Sequence, residues 1–78
     1  MADNVNHPAH YNTGTIEVIN YIKDKLNYES FTGYLTGNII KYISRYKFKN
    51  GVEDLEKARW YLNYLIDYIK EASTKDKE

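Results

Sequence analysis

The chain has 78 residues and a formal net charge of zero, with nine tyrosines and no cysteine. This length allows one domain with a thin hydrophobic core, and the lack of cysteine excludes disulfides and thiolate metal sites as reinforcement. Without disulfides or a structural metal site, extra stability must come from helix packing or self-association. Zero net charge also argues against a general nucleic-acid coat.

The sequence contains no membrane or secretion signal. No stretch approaches the roughly 18 consecutive apolar residues that a membrane-spanning helix needs. Residues 1–6 are polar and lack the basic and then apolar pattern of a signal peptide. We therefore expect no membrane partner and a cytoplasmic protein.

The predicted fold is all-α: a compact three-helix domain with an extended N-terminal arm before it. The predicted divisions are an N-terminal arm over 1–14, a helical domain over 15–72 and a frayed charged tail over 73–78. In the arm, Pro8 restricts His7 to extended geometry. Thr15 then caps a first helix that runs to about Asn27, because apolar residues recur there at helical spacing.

The second helix is predicted from Phe31 to about Phe48. Residues 27–30 form a short polar connection, and Ser30 is the candidate N-cap. An inward apolar stripe follows helical spacing. Its members are Leu35, Ile39, Tyr42, Ile43 and Tyr46.

Gly33 and Gly37 fall inside this second helix, where each glycine costs about 0.5–1 kcal/mol relative to alanine. Close approach of another backbone or of a ligand would explain them. The alternative is that both glycines mark a loop and that the helix begins near Asn38. The sequence leaves both possibilities open.

The third helix is predicted to start near Val52, after the stop signal Asn50-Gly51, and to continue to about Ala72. It carries two apolar faces. The aliphatic face consists of Val52, Leu55, Leu62, Leu65 or Ile66, and Ile69, and the aromatic face of Trp60, Tyr61, Tyr64 and Tyr68. One face can pack on the other helices, and the second needs another copy or a ligand. Since exposed aromatic patches mark binding surfaces, we expect a homo-oligomer.

Charge is concentrated in one segment, residues 38–51, which holds four bases and no acid. A local positive site suits a small anionic ligand. Asn38, Lys41, Arg45 and Lys49 are spaced to lie along one helix face, where cations and an amide can grip phosphate oxygens. The alternative is a solvated basic face that pairs with nearby acids.

Two further groups of residues can carry chemistry. His7 and His10, beside a rigid proline, can supply a general base, ligand hydrogen bonds or a pair of metal ligands. Because no clear third metal ligand follows nearby, we predict no metal site. Asp54, Lys57 and Tyr61 share a helix face, where Asp54 can orient a cation or base and Lys57 can reach an anion. The alternative for His7 and His10 is an ordinary surface arm. The alternative for Asp54 and Lys57 is charge pairing within the helix.

Standard nucleotide and nucleophile motifs do not occur in the sequence. There is no Walker loop, dinucleotide fingerprint, Gly-x-Ser-x-Gly elbow or cysteine nucleophile. Any phosphoryl transfer would therefore rely on positioning and on cationic side chains.

Several strings occur in order along most of the chain. They are His7-Pro-Ala-His10-Tyr11, Gly14-x-Ile-Glu17, Gly37-Asn38-x-x-Lys41-Tyr42-x-x-Arg45, Lys49-Asn-Gly51, and Asp54-Leu55-x-Lys57-Ala58-x-Trp-Tyr61-Leu62. The set, over about residues 7–69, resembles a small family common in tailed-phage genomes and long catalogued as a domain of unknown function. Some members are described as phage nucleotide kinases acting on deoxynucleoside monophosphates.

The resemblance implies a phage origin, an all-helical fold and a nucleotide-related role in the infected cell. It implies a ligand-facing set of His10, Tyr11, Asn38, Lys41, Arg45, Lys49, Asp54 and Lys57, to which spacing adds His7 and Tyr61. Under a kinase hypothesis, Lys41, Arg45 and Lys49 hold phosphates, and His10 or Asp54 orients the acceptor. Tyr11 or Tyr61 stacks on the base. ATP or another nucleotide is then the substrate.

Two other functions fit the same sequence. The protein can be a non-catalytic oligomer that sequesters a nucleotide and so counters host defence, because a bare core can bind nucleotides without turning them over. It can also be an inhibitor that binds a host protein through its aromatic face.

Overall fold

The computed structural model describes residues 12–13 and 16–77, with side-chain positions over residues 16–74. Within that part of the chain, three helices follow a two-stranded antiparallel ladder. The elements are β1 Asn12–Thr13, β2 Ile16–Glu17, α1 Val18–Lys25, α2 Tyr28–Arg45 and α3 Val52–Lys77. The prediction of an all-α, three-helix fold is confirmed. No helix in the described ranges is long and apolar enough to cross a membrane.

The first helix begins later than the sequence predicted. Asn12–Thr13 pairs with Ile16–Glu17, so the chain is extended where the helix was expected to start. The helix begins at Val18 and ends at Lys25, and the predicted start at Thr15 is wrong. Local hydrogen bonding within this short ladder overrides the helical spacing of the apolar residues.

The second helix begins earlier than predicted, because the capping residue is Asn27 and not Ser30. The Asn27 side chain accepts a hydrogen bond of 2.8 Å from the Ser30 backbone N–H. This bond satisfies one of the unpaired donors of the first turn. The helix therefore starts at Tyr28, three residues before the predicted Phe31.

Gly33 and Gly37 both lie inside α2, so the loop alternative is wrong. A Cβ atom built on either glycine meets no other atom within 4 Å. Close approach of another part of the described chain therefore does not account for them.

The connection between α2 and α3 is a tight turn over residues 46–51. Helix α2 ends at Arg45 and not at Phe48. The Arg45 carbonyl accepts hydrogen bonds from the N–H groups of Phe48 (2.9 Å) and Lys49 (3.1 Å) of the turn. Gly51 adopts a left-handed φ of 58°, and its N–H donates to the Tyr46 carbonyl at 2.9 Å. Glycine suits this conformation because it has no Cβ. The turn confirms the predicted stop.

Helix α3 starts at Val52, as predicted, but continues to Lys77, beyond the predicted end at Ala72. It forms a helical hairpin with α2. The apolar residues that are fully or almost fully buried in the described chain are Phe31, Leu35 and Ala58.

The two apolar faces of α3 are used differently. The aromatic face contacts α2: Tyr64 and Tyr68 meet the Phe31 ring edge-on at centroid distances of 5.9 and 4.9 Å. Tyr61 stacks on Tyr42 of α2. The aliphatic residues are exposed, with Leu62 45% and Ile66 41% accessible. The sequence left open which of the two faces packs on the other helices. In the described chain, tyrosines of the aromatic face do so, because their rings fill the space between two helices that bury few aliphatic residues.

Candidate functional site

Only part of the predicted cationic stripe lies on one helix face. Asn38, Lys41 and Arg45 belong to α2, whereas Lys49 lies in the turn that follows and is exposed. The Asn38 amide donates to the Tyr34 carbonyl at 3.0 Å, one turn earlier in the same helix. The stripe is therefore shorter than predicted and is centred on Lys41 and Arg45.

Arg45 is fixed by Asp54, which reaches it from the first turn of α3. The Nε and one terminal amino group of Arg45 each donate to Oδ1 of Asp54 at 3.2 Å. Asn50 donates its backbone N–H to Oδ2 at 3.1 Å and its amide group to Oδ1 at 3.4 Å. The Asp54 side chain has no solvent exposure, and 32% of the Arg45 side chain is accessible. This network joins the end of α2, the turn and the start of α3.

The charge of Asp54 is stabilised by these hydrogen bonds. Burial by itself would raise the pKa of the Asp54 carboxyl, but the hydrogen bonds from Arg45 and Asn50, with the charge of Arg45, outweigh burial and hold the pKa below its ordinary value. Asp54 is thus an anion whose oxygens are occupied, and it orients Arg45.

Three cations surround the ring of Tyr42. The distances to the ring centroid are 4.5 Å from Lys41 Nζ, 4.8 Å from Arg45 Cζ and 5.5 Å from Lys57 Nζ. Tyr42 in turn stacks on Tyr61 at 6.0 Å with an interplanar angle of 16°. We call these five residues, Lys41, Tyr42, Arg45, Lys57 and Tyr61, the Tyr42 cluster.

The cations of the Tyr42 cluster are neutralised to different degrees. Arg45 is paired with the buried Asp54. Lys57 lies 3.4 Å from a carboxylate oxygen of Glu53, one turn earlier and 45% exposed. Within the described ranges, Lys41 makes no ion pair. Arg45 and Lys57 are therefore paired with acids of the chain, whereas Lys41 is exposed to solvent, as the alternative of a solvated basic face also allows.

The structure brings together five of the predicted site residues and separates others from them. Lys41, Arg45, Asp54, Lys57 and Tyr61 meet where α2 and α3 approach the turn. Asn38 is bonded to its own helix, and Lys49 is outside the network. His7, His10 and Tyr11 lie outside the described residues.

Tyr42 and Asn50 are the site residues that the sequence reasoning did not select. Tyr42 was assigned to the inward stripe, which is compatible with its half-buried ring, but it also forms the centre around which the cations gather. Its position next to Lys41 and three residues before Arg45 is a signal that could have identified it. Asn50 was assigned only to the helix stop, although its two donors both reach Asp54.

A separate groove lies between α1 and α3, with a volume of about 180 Å³. Its lining consists of Lys23, Tyr64, Asp67, Tyr68 and Glu71. Lys23 lies 5.7 Å from the Tyr68 ring, and two acids face the same space. The acids disfavour a phosphate there, so the Tyr42 cluster is the better candidate for an anion.

Comparison with known proteins places the chain in a family. It belongs to the family described as protein of unknown function (DUF3310), whose model matches residues 5–63. That match spans the Tyr42 cluster and Asp54. No curated protein and no solved structure matches the chain.

Proposed function

We propose that the protein binds a small phosphorylated ligand with a flat ring, a nucleotide, at the Tyr42 cluster. The observation that carries this proposal is the convergence of Lys41, Arg45 and Lys57 on one tyrosine ring. Side chains from two helices contribute, so the arrangement depends on the fold and not on local sequence alone.

The phosphate would bind to Lys41 and Arg45. Lys41 is exposed and has no acid to compete with the ligand in the described chain. Arg45 uses Nε and one amino group for Asp54, which leaves its other N–H donors for phosphate oxygens. Because Asp54 fixes the guanidinium, little side-chain entropy would be lost on binding.

Lys57 can join the site at small cost. Its bond to Glu53 joins two residues one turn apart, and the glutamate is exposed. Such pairs contribute only about 0.3–0.5 kcal/mol, so a phosphate with two charges can replace the carboxylate. The pair also supplies a control, because the removal of Glu53 should free Lys57 and strengthen binding.

The base would lie against the tyrosines. Tyr42 and Tyr61 are both half-buried, and their rings stack nearly parallel beside the cations, so a base would lie against the accessible part of this ring pair. Stacking of a base on an aromatic side chain contributes about 1–3 kcal/mol. We include His10, Tyr11, Asn38 and Lys49 in the proposed ligand-facing set on the resemblance described above, and His7 on its spacing from His10.

The resemblance also supports the finer proposals: a phage-encoded protein that works in the cytoplasm of the infected cell, with a deoxynucleoside monophosphate as ligand. Phosphoryl transfer from ATP is a second candidate function. The observation in its favour is the preorganised cationic group, since electrostatic stabilisation and positioning supply most of the catalysis in such reactions. Asp54 would then act by positioning Arg45, and His10 would orient the acceptor.

Sequestration of a nucleotide needs the same cluster but no catalytic group, and it is the alternative that the test must separate from catalysis. Inhibition of a host protein through the aromatic face is less well supported. Of the aromatic face that suggested it, Tyr61, Tyr64 and Tyr68 contact residues of α2, whereas the ring contacts of Trp60 are to Tyr61 and Tyr64 of its own helix.

The proposal is tested by a thermal-shift screen of ribo- and deoxynucleotides, followed by calorimetry on any that bind. A ligand at 100 times its dissociation constant should stabilise the fold by about 2.7 kcal/mol. Lys41→Gln should weaken binding by roughly tenfold, and Tyr42→Leu by at least as much. Glu53→Gln should strengthen it. The matched control is Lys70→Gln, an exposed lysine of α3 far along the helix from the cluster.

Incubation of the bound nucleotide with ATP and chromatography of the products separates the two candidate activities. A diphosphate product that disappears in Arg45→Lys supports the kinase. Recovery of intact nucleotide supports sequestration. If no nucleotide stabilises the protein, or if Lys41→Gln and Lys70→Gln bind equally well, the proposed function is wrong.

A further inference from the structure

The outward face of α3 carries an aliphatic seam with the spacing of a coiled coil. Positions 52, 55, 59, 62, 66, 69 and 73 alternate in steps of three and four. Five of the seven are exposed aliphatic residues: Val52, Leu55, Leu62, Ile66 and Ile69. We propose that a second copy of this chain packs on this seam, with the two α3 helices antiparallel.

Spacing of three and four is the pattern of residues that form knobs between two helices, because it holds one stripe toward a partner helix over several turns. The residues of α3 that contact α2 belong to a different stripe, which includes Asp54, Ala58, Tyr61 and Tyr68. The seam residues are therefore distinct from the aromatic and charged contacts that join α3 to α2, and each of the five aliphatic ones keeps 37% or more of its surface exposed. Over the 26 residues of α3 the seam has room for a long contact.

The small core of the hairpin supports an additional partner surface. In the described chain, the apolar residues with almost no exposure are Phe31, Leu35 and Ala58, whereas Val52 is 68% exposed. A chain of this size rarely gains sufficient stability from so few buried side chains, and association is one of the ways in which small domains compensate.

Arg59, the charged residue of the seam, favours the antiparallel orientation. Arg59 occupies one of the inward positions of the repeat. In a parallel pair in register, Arg59 would face Arg59 of the second copy, and this repulsion is unfavourable. In an antiparallel pair centred between Leu62 and Ile66, each Leu62 faces Ile66 of the other copy. Arg59 then lies level with Ile69, along which its alkyl chain can extend.

The flanking charges are complementary in the same orientation. Glu56 follows the seam residue Leu55, and Lys70 follows the seam residue Ile69, so the two charged side chains flank the seam on the same side. When the helices run antiparallel, Glu56 of each copy lies beside Lys70 of the other, which gives two interchain ion pairs. In a parallel pair the two residues are too far apart along the helix to meet.

The proposed interface leaves the Tyr42 cluster free, because none of the seam residues belongs to that cluster. The dimer would present two independent ligand sites. The interface does not depend on the proposed nucleotide function, and neither result decides the other.

Sedimentation velocity of the full chain at micromolar concentration tests the interface. The wild type should sediment as a dimer, and the double variant Leu62→Glu with Ile66→Glu as a monomer with unchanged helical circular dichroism. The control is Ile40→Glu with Ile43→Glu, which places the same charges on exposed isoleucines of α2 and should remain dimeric. A monomeric wild type, or a dimer that survives the seam variant but not the α2 variant, would overturn the proposal.

A charge exchange tests the orientation. Glu56→Lys alone should raise the dissociation constant of the dimer by roughly tenfold, because it puts like charges together twice. Lys70→Glu alone should do the same, and the two substitutions together should restore wild-type affinity. These residues are too far apart to meet within one α3 helix, so recovery requires contact between copies. Additive weakening in the double variant would contradict antiparallel pairing.

Discussion

The two ends of the α2–α3 hairpin are held together by different physical interactions. At the open end, the fully buried Phe31 packs edge-on against Tyr64 and Tyr68. At the turn end, the buried Asp54 accepts hydrogen bonds from Arg45 and Asn50. The open end depends on apolar area and ring geometry, whereas the turn end depends on a charge that must be satisfied.

This difference explains why the candidate site lies at the turn end. A buried carboxylate can fix an arginine in one orientation, and a cluster of aromatic rings cannot do this. The turn end is therefore sensitive to substitution, because a buried charge that loses its partners strongly destabilises the fold. The open end supplies stability without orienting charged groups.

The largest expected effect is at the open end. Phe31→Ala should destabilise the protein by about 3–5 kcal/mol, because it removes a ring with no solvent exposure and leaves a cavity. Phe31→Leu should cost less and keep the chain folded. Urea unfolding measures both. Equal stability of Phe31→Ala and wild type would show that this end does not hold the hairpin together.

At the turn end, Asp54→Asn should lower the melting temperature by roughly 10 °C at neutral pH, because Arg45 loses its anionic partner. The pKa of Asp54 lies below its ordinary value of 3.8, so its stabilising effect is complete above that value and is lost as the pH falls through the folded pKa. The difference between wild type and Asp54→Asn should therefore shrink in acid. A difference that is independent of pH would argue against a stabilising charge.

The open end should respond at the opposite end of the pH scale. Burial, with the charge of Glu71 and smaller contributions from Tyr68 and Glu17, raises the pKa of the Tyr64 hydroxyl above its ordinary value of 10.0. The contribution of the neutral Tyr64 hydroxyl to the stability of the fold is complete below that value and is lost as the pH rises through the pKa of the folded state. Thermal melts should show that wild type loses more stability above pH 10.0 than Tyr64→Phe does. Parallel losses in both proteins would contradict this.

The smallest expected effect is at the two glycines of α2. Gly33→Ala and Gly37→Ala should each stabilise the protein by about 0.5–1 kcal/mol, because a Cβ at either position meets no atom within 4 Å. Chemical denaturation measures the gain. A loss of stability at either position would show that another molecule approaches this face of α2.

Helix number and type could be predicted from the sequence, and so could the turn at Gly51, since apolar spacing and a glycine stop are local signals. The starts of the first two helices could not. Asn27 and Ser30 are both good capping residues, and the choice between them depends on which backbone N–H the side chain reaches. The ladder that delays α1 to Val18 is set by pairing and not by the periodicity of the apolar residues.

The resemblance to a known family implied that cations of α2 and residues of α3 belong to one ligand-facing set, but the sequence does not show how they meet. Helical spacing places Lys41 near Arg45 and Asp54 near Lys57. It contains no information on which face of α3 meets α2. That choice is made by packing, which puts the aromatic rings inward and so brings Tyr61 onto Tyr42.

We propose that a nucleotide binds at the Tyr42 cluster, and both candidate functions depend on this binding. Titration of ¹⁵N-labelled protein with deoxynucleoside monophosphates, followed by two-dimensional NMR, tests both the binding and its location. We expect saturable shifts of the amides around Tyr42, Arg45 and Lys57, with little change near Tyr28 and Lys70. Shifts confined to the outer part of α3, or no saturable shift with any nucleotide, would contradict it.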